Sequence, residues 1–135
     1  MIVVDTNLVA YLFIPGDQTD ANEQVIQRDP TWAAPLLRRS ELRSVLTMYM
    51  RQQGRTVAQA LSTMMHAEEL IGGREYALPS DDFLQMTDQT TLSAYDTEFV
   101  ALAQSLGIPL VTTDGKILKQ VPTTAVSPEQ FLSAR

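Results

Sequence analysis

The chain contains no cysteine, which excludes disulfide bonds, thiolate zinc sites and cysteine nucleophiles. It contains a single histidine, His66, so a zinc or iron site with several histidines cannot form within one chain. Any metal site must therefore be built from oxygen ligands, which favours Mg²⁺ or Mn²⁺. The absence of cysteine also fits a cytoplasmic protein.

Long apolar runs are missing as well. The longest uncharged apolar stretches fall far short of the roughly 18 residues that span a bilayer. The chain opens with MIVVD, without the basic and long apolar segments of a secretion signal. With 135 residues, of which 44% are hydrophobic and 19% charged, we expect one globular domain covering residues 1–135.

Basic residues are few: 10 lysines and arginines face 16 acids, which gives a net charge of −6. This balance argues against a protein that binds nucleic acid by simple electrostatic attraction. It leaves room for an enzyme whose metal ions neutralise part of the acidic charge. It also suits a cationic protein partner.

Short apolar runs alternate with helical patterns along the chain. We expect strands at residues 2–5, 31–34, 76–78, 110–113 and 124–126. We expect helices at residues 8–14, 19–28, 36–53, 56–71, 80–90, 93–106 and 129–134. This alternation predicts a three-layer α/β/α domain around a parallel sheet of four to five strands. Ligands of such sheets bind beyond the carboxyl ends of the strands.

Four acidic residues stand where the hydrophobic pattern does not favour a charge. Asp5 ends one predicted strand, Asp114 directly follows another, and Asp96 opens a helix. Glu41 lies four residues from both Leu37 and Val45, so it shares their face of a helix. Isolated buried carboxylates are costly, and clustered ones repel one another.

Each acid also has a simpler interpretation. Asp5 is a suitable helix N-cap, and Asp114-Gly115 is a typical turn. Asp96 complements a helix dipole, and Glu41 at the edge of its face would reach solvent or pair with Arg38. Four separate explanations are less economical than one, which is that the carboxylates together hold a hard metal ion.

A metal held by carboxylates is typical of phosphodiester hydrolysis. Neutral polar residues stand beside the predicted cluster and would orient its carboxylates or bind a phosphate. These residues are Thr6, Asn7, Thr112 and Thr113. Arg38, Arg39 and Arg43 flank Glu41 and would either line an RNA path or form surface ion pairs.

Three segments carry a family resemblance that extends over essentially the whole chain. The segments VVDTNLVAYLF, RRSELRSVL and YDTEFVALAQSLGIPLVTTDGKIL resemble PIN-domain proteins, and most closely the VapC toxins of bacterial toxin–antitoxin pairs. The third segment is the most specific, with an aspartate at a helix start, a glycine, a strand and then Thr-x-Asp.

The resemblance implies a catalytic and metal-binding quartet of Asp5, Glu41, Asp96 and Asp114. It implies an endoribonuclease that depends on Mg²⁺ or Mn²⁺, a homodimer, and a small antitoxin partner that presents a basic residue to the acidic pocket. Some family members carry a further acid after the last aspartate, whereas here Gly115-Lys116-Ile117 follow. That difference leaves open whether one or two metal ions bind.

Two other functions remain compatible with the sequence. One is a non-catalytic PIN-like module that binds proteins, which retention of all four acids disfavours. The other is a metal-dependent phosphatase or a nuclease acting on another substrate, such as a flap nuclease. The absence of an evident DNA-clamping insertion disfavours the flap nuclease.

Overall fold

A computed structural model describes residues 1–134. Arg135, the last residue of the predicted domain, lies outside the described residues. The strands form a five-stranded parallel sheet in the order β3-β2-β1-β4-β5. They are β1 (Ile2–Val4), β2 (Trp32–Pro35), β3 (Glu75–Tyr76), β4 (Leu110–Val111) and β5 (Ala125–Val126). The predicted parallel sheet and three-layer fold are therefore confirmed.

Helices connect the strands and cover the sheet. They are α1 (Thr6–Phe13), α2 (Thr19–Arg28), α3 (Leu37–Gln53), α4 (Val57–Ile71), α5 (Ser80–Gln89), α6 (Ala94–Leu106), α7 (Gly115–Gln120) and α8 (Pro128–Ser133). The sequence analysis did not predict α7, because Asp114-Gly115 resembles a simple turn. Within residues 1–134, no helix combines the length and apolar character that crossing a membrane requires.

The central strand β1 is buried on both faces. Its register pairs Val3 with Ala33 of β2 and with Leu110 of β4. Alternate residues of a strand face opposite sides of the sheet. Ile2 and Val4 accordingly join one hydrophobic cluster, and Val3 joins the other. The sheet thus separates two apolar cores, which fix the position of its carboxyl edge.

Several helix ends follow the predicted signals. Gly54 and Gly107 end α3 and α6 in the left-handed conformation, with φ of 67° and 66°. This conformation is accessible to glycine at little cost. Thr56 forms a capping box with Gln59 at the start of α4, and Ser93 caps α6.

The start of α2 has no side-chain cap, although Thr19 stands beside it. Gln18 occupies the N-cap position and makes no side-chain cap bond. The Thr19 hydroxyl instead donates to the carbonyl of Tyr11 at 2.9 Å and accepts from the amide of Gly16 at 3.0 Å. It therefore stabilises the preceding turn rather than the helix end.

Two neighbouring faces of α3 turn toward the core. Leu37 and Val45, which share the predicted inward face with Glu41, are partly buried and pack against the two cores. Arg38, Leu42 and Leu46 are buried. An arginine occupies this core face because Glu75 of β3 pairs with it. Glu41 consequently lies half-buried at the border of the core face.

Candidate active site

Two neighbouring strands end at the same edge of the sheet, and each leads to an aspartate. Val4 of β1 is in register with Val111 of β4, and the Asp5 amide donates to the Val111 carbonyl at 3.3 Å. Asp114 follows β4 after two threonines. The chain continues from β1 to β2 on one side of β1, while β4 lies on the other side. This is the reversal point at which parallel sheets bind ligands.

Both aspartates cap helices, as their simpler interpretations suggested. The Asp5 Oδ1 atom accepts from the Leu8 amide at 3.0 Å. The Asp114 Oδ1 atom accepts from the amides of Lys116 and Ile117 at 2.9 and 3.1 Å. Capping uses one oxygen of each carboxylate, and it fixes the rotamer that aims the other oxygen.

Thr112 connects these two aspartates. Its hydroxyl donates to Asp5 Oδ2 and accepts from the Asp114 amide at 3.0 Å. The side chain of Thr112 is fully buried. It therefore acts from behind the cavity and sets the relative position of the two carboxylates.

The other two acids arrive from helices on either side of this edge. Glu41 comes from α3, and its Oε1 atom accepts from the Thr6 hydroxyl at 2.9 Å. Asp96 lies in the first turn of α6, where its amide donates to the Ser93 hydroxyl at 3.0 Å. Distant parts of the chain thus contribute acids to one place.

All four acids line a single cavity of about 220 Å³. The lining is completed by Thr6, Asn7, Ser44, Val45, Phe99 and Ile117. Among the described residues, no lysine or arginine belongs to this lining. The cavity therefore concentrates negative charge without an internal counter-charge.

The electrostatic environment links the four carboxylates to one another. Burial raises the pKa of Asp5 above its ordinary value, and the charge of Asp114 adds to the rise against the opposing hydrogen bonds. Burial likewise raises the pKa of Glu41, with further contributions from Asp96 and Asp5. These shifts have the sign expected for crowded, desolvated acids.

Asp96 experiences the same repulsion in a more open position. Burial raises its pKa, and the charge of Asp114 raises it further. The Ser93 hydroxyl and the charge of Lys116 act in the opposite direction. Lys116 is exposed on α7 and outside the lining, so it relieves the charge of the cavity only in part.

The donor set fits a hard divalent ion in chemistry but is not closed around one. The four acids offer oxygen ligands only, as Mg²⁺ prefers. Within residues 1–134, however, no three Asp, Glu, His or Cys side chains lie close enough together to hold a metal ion. Capping and threonine hydrogen bonds occupy several carboxylate oxygens, and like charges hold the remainder apart.

The predicted neutral site residues divide into two groups. Thr6 and Asn7 line the cavity, whereas Thr112 lies behind it. Thr113 is exposed and does not line the cavity. Its backbone amide lowers the pKa of Asp5 against the larger effect of burial.

Sequence reasoning missed several lining residues. Ser44, Phe99 and Ile117 each follow one of the acids by three residues. Residues three apart share a helix face. The spacing could therefore have identified Ser44 three residues after Glu41, Phe99 three residues after Asp96, and Ile117 three residues after Asp114.

The arginines near Glu41 do not form a basic path. Arg38 is fully buried and pairs with Glu75, and Arg39 Nε lies 2.7 Å from the other oxygen of Glu75. The alternative in which Arg38 pairs with Glu41 is also wrong, because Glu75 takes that place. Arg43 is exposed.

The sequence profile of the PIN domain matches residues 2–123. No functionally curated protein matches the sequence significantly. Solved structures with the same fold include a Pyrobaculum aerophilum protein, PAE2754, with 22% identity and a TM-score of 0.74 over 97% of this chain and 85% of that chain.

Two further structures come from toxin–antitoxin systems. A toxin–antitoxin complex from Klebsiella pneumoniae has 22% identity and a TM-score of 0.65, over 95% of this chain and 98% of that chain. VapBC2 from Rickettsia felis, bound to a DNA fragment from its promoter, has 16% identity and a TM-score of 0.63. That match covers 94% of this chain and 98% of that chain.

Proposed function

This chain belongs to the PIN-domain family, and we propose that it is a metal-dependent endoribonuclease, the toxin of a type II toxin–antitoxin pair. PIN domains are generally nucleases. The observation that carries the proposal is the convergence of four carboxylates on one cavity with no cationic residue in its described lining. A protein gains no stability from such an arrangement unless a cation from outside completes it.

In the proposed site, Asp5, Asp96 and Asp114 hold Mg²⁺ or Mn²⁺, directly or through water. The chemistry that such an ion supplies is acidification of a water molecule and neutralisation of charge on phosphate oxygens. The residues that position these ligands are already in place. Thr112 orients Asp5, and the amides of α7 orient Asp114.

Glu41 has the most open role in this proposal. It either completes the ligand set or orients the attacking water and accepts its proton. Thr6 holds one of its oxygens at 2.9 Å, which leaves the other to face the cavity. The water oxygen bonds to phosphorus, the bond to the 3′ oxygen breaks, and a 5′ phosphate remains. Asn7, which is exposed at the rim, would donate to a phosphate oxygen.

The biological proposal extends from this site to its partners. Solved relatives of the fold include toxin–antitoxin complexes. A net charge of −6 and an acidic cavity suit an antitoxin that inserts a basic residue. We further propose a homodimer as the working assembly, as in the family. Induced expression of the parent chain should then arrest growth, and co-expression of the antitoxin should relieve the arrest.

The decisive experiment is cleavage of a total-RNA pool with and without Mg²⁺. The parent chain should cleave only with the metal, and Asp5→Asn and Asp96→Asn should each reduce cleavage by at least 100-fold, as loss of a transition-state interaction does. Asp88→Asn is the matched control, because Asp88 is an exposed acid on α5 outside the cavity. Full activity of both cavity variants would refute the site assignment.

A further inference from the structure

A second cavity adjoins the acidic one. It has a volume of about 370 Å³ and is lined by Leu37, Ser40, Glu41, Ser44 and Tyr95. Glu41 and Ser44 belong to both linings. The two cavities therefore lie on either side of these two residues, next to each other on the surface.

The second cavity differs in chemistry from the first. Tyr95 is 63% exposed, although Asp96, the next residue of α6, lines the acidic cavity. Leu37 adds an apolar wall that packs against one of the two cores. Ser40 and Ser44 add hydroxyl groups, which both donate and accept hydrogen bonds. Aromatic, apolar and hydroxyl groups together match the face and edge of a nucleobase.

We propose that this second cavity is a nucleobase subsite, in which the base next to the scissile phosphodiester stacks on Tyr95. The inference rests on the proposed nuclease function. A phosphate in the same place would face Glu41 with no lysine or arginine in the described lining. A neutral base meets no such repulsion, and stacking on an aromatic side chain accepts any base.

The hydroxyl groups give this subsite a means of selection. Ser40 lines only the second cavity, whereas Ser44 lines both. A hydroxyl that bonds a base edge discriminates against bases that leave it unpaired. Ser40 therefore influences which base is preferred, and Tyr95 determines how strongly any base is held.

The test compares Tyr95→Ala, Tyr95→Phe and Ser40→Ala with the parent on short RNA oligonucleotides that differ at one base. Removing the stacking ring should lower kcat/KM by about 5- to 150-fold. Tyr95→Phe keeps the ring and should stay within about 3-fold of the parent. Ser40→Ala should change the base preference. Leu84→Ala is the matched control, since Leu84 is 60% exposed and lines neither cavity.

Binding to the same oligonucleotides, with Ca²⁺ replacing Mg²⁺ so that the RNA stays intact, separates this inference from the proposed function. Weaker binding by Tyr95→Ala supports the subsite even if the parent cleaves no RNA. An unchanged Mg²⁺-dependent rise in melting temperature should show that the variant keeps its acidic cavity. Equal binding and equal kcat/KM for Tyr95→Ala and parent would overturn the inference. So would dissociation of a dimer by Tyr95→Ala without loss of RNA affinity.

Discussion

Two clusters of charged side chains lie in or near the core, and they are built in opposite ways. On the β3 side of the sheet, the buried Arg38 and the half-exposed Arg39 both pair with Glu75. At the carboxyl edge of β1 and β4, four acids share a cavity in which hydroxyl and amide groups, but no described cationic side chain of the lining, oppose their charge. The first cluster pairs acidic with basic side chains, whereas the second has no cationic partner in its described lining.

The comparison distinguishes charged side chains that pair with one another in the folded chain from charged side chains that are suited to binding a ligand. Desolvation is costly for both clusters. In the Arg38–Glu75–Arg39 cluster, the charge of Glu75 opposes that cost within the chain, although burial still lowers the pKa of Arg38 below its ordinary value. In the acidic cavity, the raised pKa of Asp5, Glu41 and Asp96 records a cost that remains. An external cation would remove it.

The largest expected effect comes from removing Glu75, the acidic partner of Arg38 and Arg39. Glu75→Ala should lower the free energy of unfolding by about 3–5 kcal/mol, because it leaves a buried guanidinium without its partner. The rest of the chain does not replace this partner. Among the described residues, the Nε and Nη1 atoms of Arg38 already lack hydrogen-bond partners. Denaturant unfolding of the parent and variant measures the loss.

Arg39→Ala is the control for this prediction. Its side chain is 49% exposed, so solvent screens its ion pair and its removal should lower the free energy of unfolding far less than Glu75→Ala does. A loss from Glu75→Ala no larger than that from Arg39→Ala would show that the buried pair does not offset the burial of Arg38.

The next largest effect is expected when Mg²⁺ binds the four acids of the cavity. Mg²⁺ at about one hundred times its dissociation constant should stabilise the parent by about 2.7 kcal/mol, because it binds the folded chain alone. Thermal melts with Mg²⁺ and with EDTA at equal ionic strength measure the shift. The shift should be smaller in Asp96→Asn and unchanged in Asp88→Asn. If Mg²⁺ leaves the melting temperature of the parent unchanged, that result would count against the metal site.

The smallest effect is expected when one carboxylate of the acidic cavity is neutralised in the absence of metal. In EDTA at neutral pH, Asp96→Asn should raise the free energy of unfolding by roughly 1 kcal/mol, because it removes one of four mutually repelling charges. The folded-state pKa of Asp96 is raised, so the destabilisation grows as pH rises through that pKa. It vanishes below the ordinary carboxyl pKa.

The gain from Asp96→Asn should accordingly disappear at acidic pH, where the parent is protonated at this position. Unfolding measured across the pH range checks the sign. A variant that is uniformly less stable than the parent at every pH would contradict a crowded acid cluster.

The architecture was predictable because it depends on local patterns. Apolar runs, Gly54, Gly107 and the Thr56 capping box all act over a few residues, and the structure confirms the elements they predict. Strand ends were less predictable. Predicted strand 110–113 ends at Val111, although the Thr112 amide still donates to the Val126 carbonyl at 3.0 Å.

For the candidate site, the sequence predicted the four acids but only some of the residues that line the cavity with them. The acids stood out because charge interrupts an apolar pattern. The burial of Arg38 on α3 was not predictable, because an arginine is expected at the surface until Glu75, 37 positions away, is seen beside it. Ser44 was identifiable only from its spacing to Glu41, and Tyr95 gave no signal of its own, since an exposed tyrosine on a helix is ordinary.

The sequence by itself determined the strands and every helix except α7, and it placed Asp5 and Asp114 at strand ends and Asp96 at a helix start, because these features depend on short-range sterics, capping and hydrophobic periodicity. Only the tertiary structure decided which charges are paired and which share a cavity. That outcome depends on the parallel register of β1 with β4 and on the packing of α3 and α6 against the sheet, which bring together residues far apart in the chain.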